Sequence, residues 1–162
     1  MNKFTVPDIC DEHGENIKIC DLFLNSYGKN DKFFGQVETA RCEHSNSIVK
    51  ELLAQNGSNK VLVIQHTGTE KCSMVGDQIA QMAYDNQWKG IITNGYIRDI
   101  EVIKDIPIGV YAKNSYPRKT DKSVGKGVIG STLEFQNFIV QKDSWAYVDT
   151  NGIIFSEKEL VF

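Results

Sequence analysis

The sequence predicts a layered α/β fold whose second half is dominated by strands. Two patterns indicate this fold. In roughly the first hundred residues, apolar runs typical of buried strands alternate with segments of helical spacing, whereas from Ile108 onward nearly every patterned segment is strand-like. The chain has 162 residues and 41% hydrophobic content, which is enough for a sizeable core. We therefore expect one domain spanning residues 1–162.

The first half supplies the helices and the buried strands. A short helix is predicted around residues 7–12, and residues 36–41 alternate as a strand. Residues 47–54 have helical spacing and stop near Asn56-Gly57. Residues 61–64 are uniformly apolar, as expected for a strand that is covered on both faces.

The second half reads as short strands separated by turns. Asn151-Gly152 is a hairpin signal. The predicted strands cover residues 108–112, 138–140, 146–148 and 153–155.

A first glycine-bearing bend lies at Gly76. It leads into a run with helical periodicity, so residues 76–79 should form a helix N-terminus. The unpaired backbone N–H groups and the positive end of the helix dipole suit a carboxylate or phosphate ligand. The candidate binding residues are Gly76, Asp77, Gln78 and Ile79.

A second bend lies twenty residues further along the chain. Residues 90–99 read as a short buried strand, a turn at Asn94-Gly95 and the start of another helix, with Arg98-Asp99 at that start. Successive strand-to-helix junctions usually lie at the same edge of a parallel sheet, where open α/β folds bind ligands. Arg98 and Asp99 are therefore expected to face the Gly76 bend.

A structural interpretation competes with this site. Asp77 can be an N-cap, and an Arg-Asp pair near a helix start is common. Spacing alone favours that structural interpretation over a catalytic one.

The order of short segments along the chain resembles a known family. Gly76-Asp77, Asn94-Gly95 and Arg98-Asp99 are similar to the signature of the 4-hydroxy-4-methyl-2-oxoglutarate aldolase family, which includes the regulator of ribonuclease activity A. The resemblance covers nearly the whole chain. Further similar segments follow in the same order at residues 8–11, 33–37, 49–53, 60–64, 88–91 and 117–120.

The resemblance implies a fold, an assembly and an activity. The fold is a three-layer β/β/α swivelling domain, assembled as a homotrimer with the pocket near a subunit boundary. The implied activity is that of a class II metal-dependent aldolase, which cleaves 4-hydroxy-4-methyl-2-oxoglutarate to two pyruvates. Oxaloacetate decarboxylation would use the same chemistry.

Residue types assign roles within that chemistry. Cleaving a 2-keto acid leaves a pyruvate enolate, which a Schiff-base lysine or a divalent metal can stabilise. Lys71 and Lys89 only flank the two bends, which favours a metal, Mg²⁺ or Mn²⁺. We expect Asp99 to bind the metal and Asp77 to orient its waters. Arg98 would bind keto and carboxylate oxygens with two parallel hydrogen bonds.

The chain also departs from the family pattern. After the strand at residues 61–64, family members usually have an Asp and a run of glycines, whereas residues 65–69 contain one glycine. Residues 70–72, expected in a helix, are also atypical. Both changes bear on pocket shape and substrate preference.

Two non-catalytic alternatives remain. The chain can be a regulator that binds and inhibits an endoribonuclease of the ribonuclease E type, or a trimeric structural protein with a vestigial pocket. The regulator branch tends to lack the carboxylate after the arginine, so Asp99 favours an enzyme.

Composition narrows the partners and the compartment. The net charge of −3 gives no basic surface for direct nucleic-acid binding. No signal peptide or membrane span is evident, so we expect a cytoplasmic protein without a membrane partner. The cysteines are scattered and read as reduced thiols, without a zinc site. They are Cys10, Cys20, Cys42 and Cys72.

The remaining polar candidates are not assigned to catalysis. His13, His44 and His66 are isolated in sequence, and none is expected to be the general base. Residues 115–127 form a basic segment that suits either a mobile loop over an anionic substrate or a solvated surface connection. Arg118 and Lys119 of this segment are left outside the catalytic residues.

Overall fold

The computed structural model describes residues 3–121 and 127–162. Four helices lie in these ranges: α1 (Val6–His13), α2 (Ser47–Leu53), α3 (Asp77–Asp85) and α4 (Ile100–Ile103). The strands of the first half are β1 (Ile17–Ile19), β2 (Asn25–Ser26), β3 (Phe33–Cys42), β4 (Lys60–His66), β5 (Ser73–Val75), β6 (Gly90–Thr93) and β7 (Tyr96–Ile97). Those of the second half are β8 (Gly109–Ala112), β9 (Asn114–Ser115), β10 (Val128–Ile129), β11 (Leu133–Glu134), β12 (Ile139–Val140), β13 (Trp145–Asp149) and β14 (Gly152–Ser156).

These elements confirm the predicted alternation and the strand-rich second half. Helix α1 begins where the Thr5 side chain accepts a hydrogen bond from the Asp8 N–H and a proline occupies the first turn. The hairpin predicted at Asn151-Gly152 joins β13 to β14, which pair from Trp145 with Ser156 to Asp149 with Gly152.

The main sheet has a parallel centre. Its strands run in the order β1-β14-β13-β3-β4-β6-β8-β2, and β10 pairs with β3. Strands β3, β4, β6 and β8 are mutually parallel, while β13 joins β3 in antiparallel register. The carboxyl ends of the four parallel strands therefore lie along one edge, as the sequence predicted.

Apolar side chains cover both faces of the central strands. Leu62 and Ile64 of β4 lie in a cluster with residues of α2 and α3, whereas Val61 and Val63 lie in a cluster with Leu133 of β11. This alternation is the reason for the uniformly apolar sequence of β4. The result is a helical layer, a central sheet and a second layer of strands.

A second, smaller parallel sheet positions the site. Strands β5, β7 and β9 pair in that order, and each follows a central strand in the sequence. Helices α3 and α4 begin after β5 and β7, so the two predicted junctions lie at the end of this small sheet and not directly on the main one. The predicted helix start after Asn94-Gly95 is accordingly delayed by β7.

One expected element is absent from the described ranges. Residues 70–72 form no helix; Glu70 lies in a bend, and residues 71–72 lead directly into β5. The middle of the basic segment predicted at 115–127, residues 122–126, lies outside the described residues. In the part of the chain that is described, no helix is long and apolar enough to cross a membrane.

Candidate functional site

The start of α3 forms the floor of the candidate site. Gly76 is the N-cap and Asp77 is the first helical residue. The Asp77 N–H donates to Asp99 Oδ2 at 3.2 Å, and the Gln78 N–H donates to Asp77 Oδ1 at 2.8 Å. Among the described residues, no acceptor pairs with the N–H groups of Gly76 and Ile79. Two of the four predicted anion-binding amides are thus already bonded to carboxylates.

Asp99 reaches across from one helix to the start of another. It occupies the N-cap position of α4 in the left-handed conformation, with φ 59°, and its side chain makes no capping bond to α4. Aspartate tolerates this region better than most residues, but the conformation still costs energy. That backbone geometry accompanies the hydrogen bond between the Asp99 carboxylate and α3.

The Asp99 carboxylate approaches Gly76 closely. A Cβ at position 76 would lie 2.8 Å from Asp99 Oδ2 and 3.9 Å from Arg98 Cγ and Nε. A side chain at position 76 would therefore displace the Asp99 carboxylate, whereas the backbone sets no restriction, since its φ of −112° suits any residue.

Arg98 is held at both its backbone and its side chain. Its N–H donates to the Val75 carbonyl at 3.0 Å, which ties the end of β7 to β5. Its Nη1 donates to the Pro117 carbonyl at 3.3 Å. The guanidinium carries five N–H donors in a rigid plane, so this single bond leaves others for a ligand.

A cleft of about 790 Å³ contains every site residue that the sequence predicted. Gly76, Asp77, Gln78, Ile79, Arg98 and Asp99 all line it. The remaining lining residues are Asn46, Lys50, Ser73, Met82, Arg118, Lys119, Thr120 and Asp121.

Of the cationic residues that line this cleft, only Arg98 was assigned to the site from the sequence. Lys50, Arg118 and Lys119 join Arg98 in the lining. The basic run at 117–119 was visible in the sequence but was not assigned to the site. Lys50 lies on α2 and gave no local signal, because only the tertiary fold brings α2 beside the start of α3.

The lysines that line the cleft are not the two that flank the bends in the sequence. Lys71 and Lys89 do not line the cleft: the Lys71 ammonium lies 5.9 Å from the Tyr96 ring centroid, and Lys89 borders a different hollow. Lys71 and Lys89 thus lie outside the cleft, as expected, whereas Lys50 and Lys119 line it and were not assigned to the site from the sequence.

The donors of the cleft suit a hard divalent cation. Asp77, Asp99 and Asp121 offer carboxylate oxygens. Within residues 3–121 and 127–162, no group of three or more histidine, cysteine or acidic side chains is arranged to hold a metal. Mg²⁺ takes one or two carboxylates and keeps several waters, so the absence of a larger group is compatible with magnesium and not with a fully protein-ligated ion.

Two of the three histidines are not isolated, contrary to expectation. The rings of His44 and His66 meet edge to face with centroids 6.3 Å apart, and His66 Nε2 lies 3.9 Å from Cys72 Sγ. Burial, and then the nearby His44, lower the pKa of His66 below its ordinary value. Neither ring lines the cleft.

Comparison with known proteins identifies the family. Residues 6–155 match the model of the RraA-like family, described as Aldolase/RraA. The chain belongs to the RraA-like family. The family resemblance found in the sequence is thereby confirmed.

Relatives of similar length carry an aldolase name. A protein of Marinomonas sp. (strain MWYL1) is 39% identical over 98% of both chains, and one of Vibrio vulnificus (strain YJ016) is 38% identical over 99% of both. Each is named "Putative 4-hydroxy-4-methyl-2-oxoglutarate aldolase". The names of RraA-like relatives thus support a lyase kind of enzyme.

Solved structures confirm the RraA-like fold. A Geobacillus kaustophilus protein, described as an S-adenosylmethionine: 2-dimethylmenaquinone methyltransferase, superimposes with a TM-score of 0.92 at 32% identity over 97% of both chains. The RNA-processing inhibitor RraA from Thermus thermophilus does so with a TM-score of 0.92 at 26% identity, covering 98% of this chain and 96% of its own. Because the names of these neighbours differ in activity, the reaction must be argued from the site.

Proposed function

We propose that this chain is a class II, divalent-metal-dependent aldolase that cleaves 4-hydroxy-4-methyl-2-oxoglutarate to two pyruvates. Oxaloacetate decarboxylation would proceed through the same pyruvate enolate. One observation supports this above the others: Arg98 and Asp99 pass side by side over Gly76 at the start of α3, inside a cleft with further cations. The guanidinium spends one N–H donor on the Pro117 carbonyl, and its other donors remain for an anionic substrate.

The reaction places a negative charge at a defined position. In the aldol cleavage, the bond between the third and fourth carbons breaks as the 4-hydroxyl group loses its proton and becomes a carbonyl. The electron pair remains on the other fragment as an enolate, which then takes up a proton. In oxaloacetate the same carbon–carbon position releases carbon dioxide. Both reactions therefore need a positive group at the keto oxygen.

Arg98 would provide that group from the protein. Its planar guanidinium can donate two parallel hydrogen bonds to the keto oxygen and the adjacent carboxylate, a geometry that an ammonium cannot reproduce. The bonds from Arg98 to the Val75 and Pro117 carbonyl groups fix the residue before substrate arrives. Such preorganised donors are strongest where charge develops during the reaction.

The start of α3 would bind the carboxylate beside the keto group. The N–H groups of Gly76 and Ile79 have no partner among the described residues and could donate to it, and the positive end of the helix dipole adds to the attraction. The Asp77 and Gln78 amides are engaged by carboxylates in this structure and would contribute only if those bonds were exchanged.

Asp99 would hold Mg²⁺ or Mn²⁺, and Asp77 would orient its waters. When bound, such a metal supplies Lewis-acid stabilisation of several kcal/mol to the enolate oxygen. The hydrogen bond from the Asp77 N–H to one Asp99 oxygen keeps the carboxylate over Gly76.

Because Lys50 and Lys119 line the cleft, the competing Schiff-base chemistry must be tested directly. The experiment is to incubate the protein with 4-hydroxy-4-methyl-2-oxoglutarate, measure two pyruvates per substrate, and add borohydride during turnover. We expect turnover without a trapped adduct. A reduced pyruvyl adduct on either lysine would replace the metal mechanism with an imine mechanism.

A non-catalytic regulator remains the second candidate. The observation that favours it is the similarity to the Thermus thermophilus RNA-processing inhibitor. A chain that releases no pyruvate but inhibits a ribonuclease E type enzyme would establish this alternative. The same purified protein serves for both assays.

A further inference from the structure

The segment that carries Arg118 and Lys119 is tied to β5 by one backbone hydrogen bond and an isolated β-bridge. The Ser73 N–H donates to the Arg118 carbonyl at 2.8 Å, and Ser73 forms a parallel bridge with Lys119. Ser73 is buried, whereas Arg118 and Lys119 are exposed. The backbone of the segment is therefore fixed, while its two cationic side chains remain accessible to a ligand.

A buried pair of polar side chains completes this attachment. Thr120 Oγ1 donates to Asn46 Oδ1 at 3.0 Å, and Asn46 Nδ2 donates to the Met74 carbonyl at 2.9 Å. Thr120 is 8% exposed and Asn46 is 5% exposed. Buried polar side chains normally form hydrogen bonds. Here the two bonds through Asn46 connect residue 120 to the middle of β5.

The two cations have no competing ion pair within the described ranges. No carboxylate of residues 3–121 or 127–162 forms a salt bridge with Arg118 or Lys119. Both line the same cleft as Arg98 and Asp99. They offer positive charge in addition to the group assigned to the keto oxygen.

We propose that the Asn46–Thr120 hydrogen bond positions Arg118 and Lys119 to bind the substrate carboxylate that is remote from the keto group. The inference rests on the proposed function for the location of the keto end. Asn46 and Thr120 are positioning residues, and Arg118 and Lys119 set the preference for dicarboxylic over monocarboxylic 2-keto acids. Because the backbone of the segment is already ordered, binding needs to order only the side chains of Arg118 and Lys119, which lowers its entropic cost.

The experiment compares two unreactive ligands by calorimetric titration in the presence of Mg²⁺. 2-Oxoglutarate has the remote carboxylate and pyruvate lacks it. Wild-type protein should bind 2-oxoglutarate more tightly than pyruvate. Thr120→Val removes the hydroxyl at nearly constant shape and should weaken 2-oxoglutarate binding about fivefold or more, with pyruvate binding changed less than about twofold.

Two further variants separate positioning from general damage. Thr120→Ser keeps the hydroxyl and should restore most of the wild-type preference. Lys119→Gln removes a cation directly and should reduce the preference with the melting temperature unchanged. Equal loss of both ligands in Thr120→Val, the same defect in Thr120→Ser, or no wild-type preference would each overturn the proposal.

The outcome is distinguishable from failure of the proposed function. Oxaloacetate turnover is measured on the same wild-type sample. A protein that prefers 2-oxoglutarate but releases no pyruvate would contradict the aldolase and still support the carboxylate site. A protein that turns over oxaloacetate but does not prefer 2-oxoglutarate would support the aldolase and contradict the carboxylate site.

Discussion

Asp99 combines a structural contact with a proposed chemical one. Its carboxylate accepts the Asp77 N–H and so caps α3, a helix to which it does not belong. Asp99 therefore helps to hold the start of α3, whereas the interpretation of Asp77 as an N-cap was wrong, because Gly76 occupies that position and Asp77 is already helical. A carboxylate has several acceptor positions, so the capping bond leaves room for a metal.

Asparagine and alanine at position 99 separate these two roles. Asp99→Asn retains an oxygen that can accept the Asp77 N–H and tolerates the left-handed backbone, so stability should change little. It should lose most of the activation by Mg²⁺, because the charge is gone.

Asp99→Ala is the matched comparison. It loses the cap and places alanine at positive φ, which should cost about 1–3 kcal/mol of unfolding free energy. Thermal melts and magnesium titrations of pyruvate release check both variants. Full magnesium activation in Asp99→Asn would remove Asp99 as the metal ligand.

Arg98 tests whether charge or geometry matters in the cleft. Arg98→Lys keeps the charge but cannot donate two parallel hydrogen bonds. We expect kcat/KM for oxaloacetate to fall at least about tenfold, since loss of a preorganised donor commonly lowers kcat by about 10² to 10³. The melting temperature should be nearly unchanged. Wild-type kinetics would exclude Arg98 from catalysis and favour the regulator.

At the scale of elements, the long or strongly patterned segments were predictable and the short ones were not. The apolar run of β4 and the helical spacing of α3 identified their elements, because burial on both faces or on one stripe leaves a clear pattern. Strands β5, β7 and β9 are two or three residues long and leave no such pattern.

The missing part of the candidate site follows from the same limit. Arg118 and Lys119 reach the cleft only because their segment pairs with Ser73 of β5, some 45 residues earlier in the chain. The left-handed conformation of Asp99 accompanies its contact with the start of α3 and has no signal in the local sequence. Gly76 and Arg98-Asp99, by contrast, were found because the bends and the family signature are local in sequence.

The ends of β4 and β6 are joined beside a histidine that should make stability depend on pH. The Asn94 side chain accepts the His66 N–H at 2.7 Å and donates to the His66 carbonyl at 3.2 Å. Burial and His44 lower the pKa of His66 from 6.5. Near pH 6.5 and below, the His66 side chain of the unfolded chain binds a proton more readily than that of the folded chain. The free energy of unfolding should therefore fall as the pH decreases from 6.5 toward the pKa of the folded state.

His66→Gln should reduce this dependence. We expect the melting temperature of the wild type to fall more between about pH 7.5 and pH 5.5 than that of the variant, because glutamine does not titrate. The backbone bonds to Asn94 are retained in the variant. Equal decreases in the two proteins would show that His66 does not control acid sensitivity.

At the scale of the whole molecule, we propose a homotrimer, on the basis of the family resemblance. Light scattering should give three times the 18.3 kDa of one chain. A monomer mass at the concentrations used for activity assays would contradict this assembly. The measurement needs no ligand and is independent of the catalytic assignment.

The central claim is a metal-dependent enolate chemistry centred on Arg98 and Asp99. The most direct measurement is pyruvate release from oxaloacetate by protein freed of metal with a chelator, before and after Mg²⁺ or Mn²⁺ is restored. The background reaction of the metal with oxaloacetate alone is subtracted. We predict that chelation abolishes the protein-dependent rate and that the metal restores it. Undiminished turnover in the metal-free protein would contradict the claim.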